Sequence, residues 1–326
     1  MYGRFFQYVY LQGLSKNFNF LDSFLDVLCS TSSVCAFFAR HFFRNVIEYV
    51  VMIRFTWDDI ESVVAGKSAM PDIFACGTAL TVGNFDGPHI GHDSLFACVR
   101  TEAEKNGFTP GVVAFKQSLG AFKSKGFYEG DLSTLVQRLS VIENRGMVFA
   151  ILIDFSDKFG KMEGRGFLSM LVHGCGMKFI AEGWDFRCGY RGACGMNEIR
   201  AFSRESGVVS EFPEPTLYKG ERVSSSLIRM RIFEGDIRSA EAMLGRKYVL
   251  DCSASVWKKD GCALTAERSA FAQVLPERGI YGVRVIADGY TAGARFTAES
   301  HILRLENLQK DVRHIKAVEF IRTIKE

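Results

Sequence analysis

The sequence has little of what marks several common classes of protein. A net charge of only +3 over 326 residues gives no indication of a nucleic-acid-binding surface. None of the nine cysteines forms a Cys-x-x-Cys pair, and the closest pairs, Cys29 with Cys35 and Cys188 with Cys194, have no histidine beside them. A zinc site is therefore not predicted. The odd number of cysteines favours reduced thiols and a cytoplasmic location.

Long apolar runs are missing as well. The longest uncharged run, residues 27–39, is half polar and too short to cross a bilayer, and no small-residue cleavage site follows the early Arg4. Neither a membrane span nor a secretory signal is predicted. Residues 1–51 are crowded with phenylalanine, and an ordinary opening follows at Met52. We expect Met52 to be the true start and residues 1–51 to be a non-native or disordered extension; the alternative is a membrane-associated or partner-binding extension.

From residue 79 onward, short apolar runs alternate with helical patterns. Strands are predicted at 79–82, 112–115, 149–153, 179–181 and 208–211, and helices at 94–105, 132–144, 167–172, 197–206, 225–234 and 237–244. This alternation predicts an α/β fold with a parallel sheet, helices on both faces, and ligands beyond the carboxyl ends of the strands. Strands predicted at 249–256, 279–287 and 298–305 indicate a small antiparallel β segment after residue 248.

Histidine is scarce, with six in the chain, and this makes the pair His89 and His92 informative. The pair stands where an apolar strand and a glycine turn pass into a helical pattern. A helix N-terminus suits phosphate, and glycines at Gly83, Gly87 and Gly91 let the backbone approach it closely. The pattern predicts chemistry on a nucleotide phosphate through positioning and charge stabilisation. The alternative is that both histidines are capping or surface residues.

Two further stretches are informative when they are considered together with the histidine turn. Ser224, Ser225 and Ser226 precede an amphipathic helix, with Arg229 one turn later. Alone they predict helix capping, but beside the histidine turn they indicate a triphosphate cradle. Asp185 follows a strand and lies between glycines, where it can receive a ribose or orient a ligand. Taken alone, this aspartate predicts only a turn.

In this order and spacing, residues 83–92, 183–189 and 224–229 resemble the FMN adenylyltransferase (FAD synthetase) module of bacterial bifunctional riboflavin kinase/FAD synthetases. The family patterns are Gly-Asn-Phe-Asp-Gly-x-His-x-Gly-His, Gly-x-(Asp/Asn)-Phe-x-Phe-Gly and Ser-Ser-Thr-x-Ile-Arg. The resemblance covers about residues 52–248 and implies a Rossmann-like nucleotidyltransferase fold. It also implies the reaction ATP + FMN → FAD + pyrophosphate, with Mg²⁺ on the ATP phosphates and no metal ligand assigned to the protein.

The resemblance further implies a role for each matching residue. His89, His92 and Arg229 would be catalytic, because they would contact the ATP phosphates and stabilise the transition state. Asp185 and Lys116 would bind FMN. Besides Arg229, the ATP site would comprise Gly83, Asn84, Phe85, Asp86, Gly87, Ser224, Ser225 and Ser226.

Three departures from the family pattern fall in these stretches. Ser226 replaces a threonine and keeps the hydroxyl, and Cys188 replaces a phenylalanine in the pocket wall. Residues 115–119 read Phe-Lys-Gln-Ser-Leu where the family has Phe-Asp-Pro-His-Pro, so the FMN site is altered. Lys116 either meets the FMN phosphate or is a solvated surface lysine. The second reading is slightly favoured because lysines are mostly exposed.

The chain after residue 248 resembles the family's riboflavin kinase barrel in part. Residues 275–281 resemble Leu-Pro-x-x-Gly-Val-Tyr, and Glu299 stands where the family has its general base. The Gly-x-Pro-Thr-x-Asn segment for magnesium and nucleotide is absent, and the chain stops at Glu326, where a terminal helix would be expected. We therefore expect residues 249–326 to be a degenerate, truncated, antiparallel β-barrel-like domain without riboflavin kinase activity.

The leading prediction is an FAD synthetase that has lost riboflavin kinase activity. Three alternatives stay open: a nucleotidyltransferase for another phosphorylated acceptor, a bifunctional enzyme with weak kinase activity, and a flavin- or nucleotide-binding protein with little turnover. ATP and FMN are the predicted partners, without nucleic acid or membrane. The sequence indicates no oligomeric state.

Overall fold

A computed structural model describes residues 52–118, 129–308, 312 and 314–324; the predicted extension at residues 1–51 and Leu119 lie outside them. The strands of the first sheet are β1 Ile53–Thr56, β2 Thr78–Gly83, β3 Thr109–Phe115, β4 Phe149–Ile153, β5 Met177–Ala181 and β6 Val209–Glu211. They are parallel, in the order β1-β4-β3-β2-β5-β6. The α-helices are α1 Trp57–Val64, α2 Ile90–Asn106, α3 Leu135–Asn144, α4 Asp157–Gly160, α5 Gly164–Cys175, α6 Met196–Ser206, α7 Ser225–Phe233 and α8 Ile237–Leu244.

Strand β2 is central, and its residues 78–82 are all buried, as expected for a parallel strand covered on both faces. The strand order reverses between β2 and β5, and this reversal opens a crevice at their carboxyl ends. The histidine turn follows β2, and Asp185 follows β5. The predicted α/β fold with a parallel sheet is confirmed, and both stretches leave the sheet at this crevice.

Local sequence explains where the helices begin and end. Thr134 and Ser224 accept hydrogen bonds from the first turns of α3 and α7. Four helices end at glycines in the left-handed conformation, which only glycine adopts without strain: Gly107, Gly176, Gly207 and Gly245. No helix in the described ranges is long and apolar enough to span a membrane.

The second sheet is antiparallel, as predicted, and it is curled. Its strands are β9 Val249–Asp251, β10 Lys258–Asp260, β11 Ala263–Glu267, β12 Gly279–Ala287, β13 Tyr290–Ala298, β14 Ile302–Glu306 and β15 Ile315–Ile324. Their order is β10-β11-β14-β13-β12-β15-β9. Irregularities in the β12–β15 pairing at Gly282 and Ile286 increase the local bend and twist. A separate hairpin joins β7 Leu217–Tyr218 to β8 Glu221–Arg222, and short 3-10 turns lie at Asp72–Phe74, Tyr190–Gly192 and Arg268–Ala270.

Two predicted strands differ from the structure. The strand predicted at 249–256 stops at Asp251, because Cys252 and Ser255 close a turn through the hydrogen bond from Ser255 N to Cys252 O. The strand predicted at 298–305 is two strands, since Ala298 ends β13 and Ile302 begins β14. The second sheet shares one buried apolar cluster with α7 and α8. The division into domains at 52–248 and 249–326 stays a prediction.

Candidate active site

The two histidines form a stacked pair at the start of α2. His89 is the residue that precedes the first helical position, and its ring lies 3.7 Å from that of His92 with 17° between the planes. The His89 backbone N–H donates to His92 Nδ1 at 3.3 Å. Since Nδ1 accepts this bond, the proton of neutral His92 is on Nε2, which leaves an N–H donor for a ligand.

Both imidazoles are neutral at physiological pH. Burial, reinforced by the cations of Arg246 and Arg222, lowers the pKa of His89 to about 3. Burial and the neighbouring His89 ring lower the pKa of His92 well below its ordinary value. The positive charge of the site therefore belongs to arginines, and the histidines supply N–H donors.

The turn between β2 and the histidines is held in a tight conformation. Phe85 adopts a φ of 44°, and its buried ring lies 5.1 Å from the ring of His92. A Cβ on Gly83 would lie 2.8 Å from the Phe85 ring, and a Cβ on Gly87 would lie 2.6 Å from Leu132 Cβ. The glycines are thus required by close packing around the turn. Whether Gly83 and Gly87 bind ATP stays a prediction.

Asp86 and Arg229 meet in the interior. Asp86 is fully buried, and its carboxylate accepts from Arg229 Nη2 at 2.6 Å and from Leu132 N at 3.0 Å. Arg229 Nε donates to the Gly130 carbonyl at 2.9 Å. Burial and Asp131 raise the pKa of Asp86 to about 6, against the opposing effect of Arg229. These contacts tie the histidine turn to α7; direct contact of Asp86 or Arg229 with ATP stays a prediction.

The other predicted residues divide between structural and accessible positions. Ser224 Oγ accepts from Leu227 N at 3.2 Å and so caps α7. Ser225 and Ser226 have no side-chain hydrogen bond among the described residues, and their hydroxyls are available at the helix N-terminus. Asn84 donates to Ser118 Oγ at 3.2 Å, which joins the histidine turn to the end of β3.

The predicted FMN residues are both ion-paired. The Asp185 carboxylate and the Arg222 guanidinium form a two-pronged pair with both distances at 2.7 Å, and each side chain is 43% exposed. Arg222 also lies over the ring of Trp184 at 5.3 Å. Lys116 pairs with the exposed Asp154, so its ammonium has a partner on the surface. The binding of FMN by Asp185 and Lys116 stays a prediction.

Sequence reasoning missed three polar residues that build this site. Buried Arg138 donates to the carbonyls of Asn84, Phe115 and Lys116, and thereby joins the ends of β2 and β3. Arg246, after α8, donates to the Pro88 carbonyl beside the histidines. Buried Glu182 accepts from Val82 N at 2.6 Å, between β2 and β5. These contacts join residues that are far apart in the sequence, so patterns among neighbouring residues do not reveal them.

The donor set fits magnesium carried by a nucleotide better than a protein-held ion. No group of three or more histidine, cysteine, aspartate or glutamate side chains suited to a metal occurs in the described part of the chain. Asp86, the carboxylate within the histidine turn, is buried against Arg229, so its charge is already neutralised. We therefore treat the magnesium complex of ATP as a substrate.

Comparison with known proteins agrees with this geometry. Residues 73–227 match the FAD synthetase family model. Bifunctional riboflavin kinase/FMN adenylyltransferases from Haemophilus influenzae and Escherichia coli K12 are each 27% identical, over 213 and 218 residues, which cover 64% and 65% of this chain and 69% of each relative. The Bacillus subtilis relative of the same name is 23% identical over 217 residues, 65% of this chain and 68% of its own.

A solved structure shares the fold. The crystal structure named as a macrolide-efflux protein from Streptococcus pneumoniae superimposes with a TM-score of 0.69 at 18% identity, over 84% of this chain and all of that one. At this identity the likeness is one of fold. A parallel sheet with two stacked histidines at the point where its strand order reverses is the architecture of a Rossmann-like nucleotidyltransferase. The family match over residues 73–227 and the relatives support the FAD synthetase module that the sequence predicts.

Proposed function

We propose that this protein transfers AMP from ATP to FMN, giving FAD and pyrophosphate. The observation that carries the proposal is the neutral, stacked pair His89 and His92 at the N-terminus of α2. An oxygen of the FMN phosphate attacks the α-phosphorus of ATP, and the bond from that phosphorus to the bridging oxygen of pyrophosphate breaks. Such a step needs in-line positioning and stabilisation of spreading negative charge.

The residues of the site divide this work. The imidazole N–H of His92 and the free backbone N–H groups of α2 donate to oxygens of the reacting phosphate. Ser225 and Ser226 donate hydroxyl hydrogens to the triphosphate at the N-terminus of α7. Arg246 supplies positive charge beside the leaving pyrophosphate; burial lowers its pKa to about 10, which leaves it charged at pH 7. Asp185 and Arg222 border the acceptor.

The direct test is FAD formation by the full-length protein. Purified protein is supplied with ATP, magnesium and either FMN or riboflavin, and FAD and pyrophosphate are quantified. FAD from FMN, with one pyrophosphate released per FAD, supports the proposal. If pyrophosphate is released only when another phosphorylated acceptor is supplied, the protein is a nucleotidyltransferase for that acceptor. ATP binding without pyrophosphate release supports a binding protein with little turnover.

We also propose that riboflavin kinase activity is lost. Glu299, the candidate base, is exposed in the turn between β13 and β14, where its backbone N–H donates to Ile302 O at 3.0 Å. The sequence that would clamp magnesium and nucleotide is missing between residues 249 and 275. A base without such a clamp stabilises little phosphoryl transfer. Formation of FMN or FAD from riboflavin in the same assay would overturn this second proposal.

A further inference from the structure

Cys188 and Cys194 lie opposite each other as an isolated antiparallel β-bridge in the loop that follows β5. Each residue donates its backbone N–H to the carbonyl of the other, at 2.8 and 3.1 Å. Residues that exchange both hydrogen bonds in an antiparallel pair have Cα atoms about 5.5 Å apart and side chains on the same face. That separation lies within the range spanned by disulfides. Both are free thiols, with Cys188 partly exposed and Cys194 buried.

We propose that Cys188 and Cys194 are a reversible oxidation site that forms an intrachain disulfide with a low-molecular-weight disulfide as oxidant. The Cys188 sulfur loses its proton and attacks one sulfur of the oxidant, whose S–S bond breaks and releases one thiol. Cys194 then loses its proton and attacks Cys188 Sγ, which releases the second thiol. The two cysteines lose two electrons and two protons, and the oxidant becomes two thiols.

Two features of the pair bear on this exchange, namely the acidity of each thiol and its exposure. The hydrogen bond between the two thiols raises the pKa of Cys188 and lowers that of Cys194, so attack by Cys188 depends on its exposure and not on a stabilised thiolate. Cys188 is the more exposed residue of the two. Cys175 and Cys252 are both buried, and among the described residues neither has a cysteine opposite it in a β-bridge or strand pair. The pair is therefore set apart from the other described thiols.

Oxidation would move the loop that carries Asp185. Opposed Cβ atoms in such a pair lie about 5 Å apart, whereas a disulfide needs about 4 Å, so the two backbones must approach. The loop has no room toward α5, because a Cβ on Gly164 would lie 2.1 Å from Cys194 Cβ and one on Gly189 would lie 2.2 Å from Gly164 N. We expect the exposed residues Trp184 and Asp185 to shift with the loop. This consequence rests on the proposed function; the disulfide does not.

Mass spectrometry of the full-length protein tests the site. Trypsin cleaves after Arg187, Arg191 and Arg200, so the two cysteines fall on separate peptides, 188–191 and 192–200. After treatment with glutathione disulfide and alkylation, we expect these peptides to be joined, and to separate again after dithiothreitol. Cys194→Ser is expected to retain glutathione on Cys188, because the resolving sulfur is gone. Cys188→Ser is expected to take up none in this loop, and Cys98→Ser is the matched control that still forms the link.

The link to activity is measured separately. Oxidation should lower kcat/KM for FMN about tenfold, in proportion to the joined peptide, and Cys188→Ser should keep its own starting rate after the same treatment. Unjoined peptides in oxidised protein, or glutathione that stays on wild-type Cys188, would overturn the disulfide. A joined pair with unchanged kcat/KM would overturn only its effect on the site. No FAD from reduced protein would count against the proposed function and leave the peptide result standing.

Discussion

The carboxylate of Asp86 and the guanidinium of Arg229 form an ion pair of 2.6 Å although they stand 143 residues apart. Asp86 lies in the histidine turn and Arg229 lies on α7, so this pair joins the two stretches predicted to hold ATP. Asp86 is fully buried, and the Arg229 side chain is 15% exposed. Such a pair is costly to break, because the partner that remains is a buried, uncompensated charge.

Arg229→Met is therefore expected to lower the free energy of unfolding by about 3–5 kcal/mol. The loss arises from the uncompensated Asp86 carboxylate, so the double variant Asp86→Asn with Arg229→Met should lose markedly less. Urea unfolding at pH 7 measures both. Equal stability of Arg229→Met and wild type would show that the pair contributes nothing to the fold.

The stability of the protein should fall as the pH rises through the range in which Asp86 titrates. Its pKa is about 6 in the folded protein and about 3.8 as an unperturbed carboxyl. The folded state thus holds a proton that the unfolded state has lost, so unfolding becomes easier from pH 5 to pH 7, by about 1 kcal/mol. Asp86→Asn should lack this component in paired urea titrations at the two pH values. An identical pH slope in wild type and variant would refute the assignment.

Gly87→Ala should destabilise the histidine turn. The new Cβ would lie 2.6 Å from Leu132 Cβ, and overpacking of this kind costs about 1–3 kcal/mol. Gly166→Ala is the matched control, since nothing lies within 4 Å of its Cβ position inside α5, and alanine there should add about 0.5–1 kcal/mol. Thermal unfolding of the two variants should give shifts of opposite sign.

Asp185→Asn should raise the KM for FMN, and not that for ATP, while leaving stability nearly unchanged. The pair with Arg222 is exposed, and exposed pairs contribute about 0.2–1 kcal/mol. Glu205→Gln offers a control, because Glu205 pairs with Arg165 in an exposed pair between α5 and α6. Steady-state kinetics with each substrate varied in turn would distinguish the variants. A KM effect of the same size in Glu205→Gln would argue against a ligand role for Asp185.

The sequence predicts those parts of the molecule whose signals are local. The histidine turn, the end of α2 at Gly107 and the cap at Ser224 follow from neighbouring residues, and α8 has its predicted bounds. Strand β1 went unpredicted because only Phe55 of its four residues is buried, and the exposed Arg54 and Thr56 interrupt the apolar run. The single strand predicted at 298–305 overlooked the turn between β13 and β14, since the apolar pattern continues on both sides of it.

What the sequence could not predict are contacts between distant segments. Arg246 is 158 residues from Pro88, whose carbonyl it contacts, and Arg138 is 54 from Asn84. An arginine within a helix is usually solvent-exposed, and the residues around Arg138 give no sign that its side chain is buried. The ion pair of Asp86 with Arg229 is of the same kind. Both residues were expected at the phosphates, and the fold places them against each other.

Gln273 links the second sheet to the histidine turn, and its removal should affect both. Its amide donates to Leu132 O at 3.2 Å and to Val249 O at 3.0 Å, while Leu132 N donates to Asp86. Gln273→Leu removes the donor to Leu132 O and the acceptor of the Asp251 N–H, at about 1–3 kcal/mol, whereas Val249 O keeps Gln137 Nε2 as a donor. We expect lower stability together with a lower rate of FAD formation. Ser269→Ala, nearby but exposed, should change neither quantity in the same assays.

The final prediction concerns the protonation of the histidines. Because the pKa of His89 is about 3 and that of His92 is also far below its ordinary value, neither ring should titrate between pH 6 and pH 8. FAD formation should therefore show no loss of rate with a midpoint near 6.5, as a catalytic imidazolium would give. His92→Gln should lower kcat about 100-fold through the lost N–H donor, whereas His173→Gln, on the exposed face of α5, should not. The rate of FAD formation could instead fall as the pH is raised through 6.5, and His92→Gln could abolish that fall. This result would mean that the charged ring is the active form.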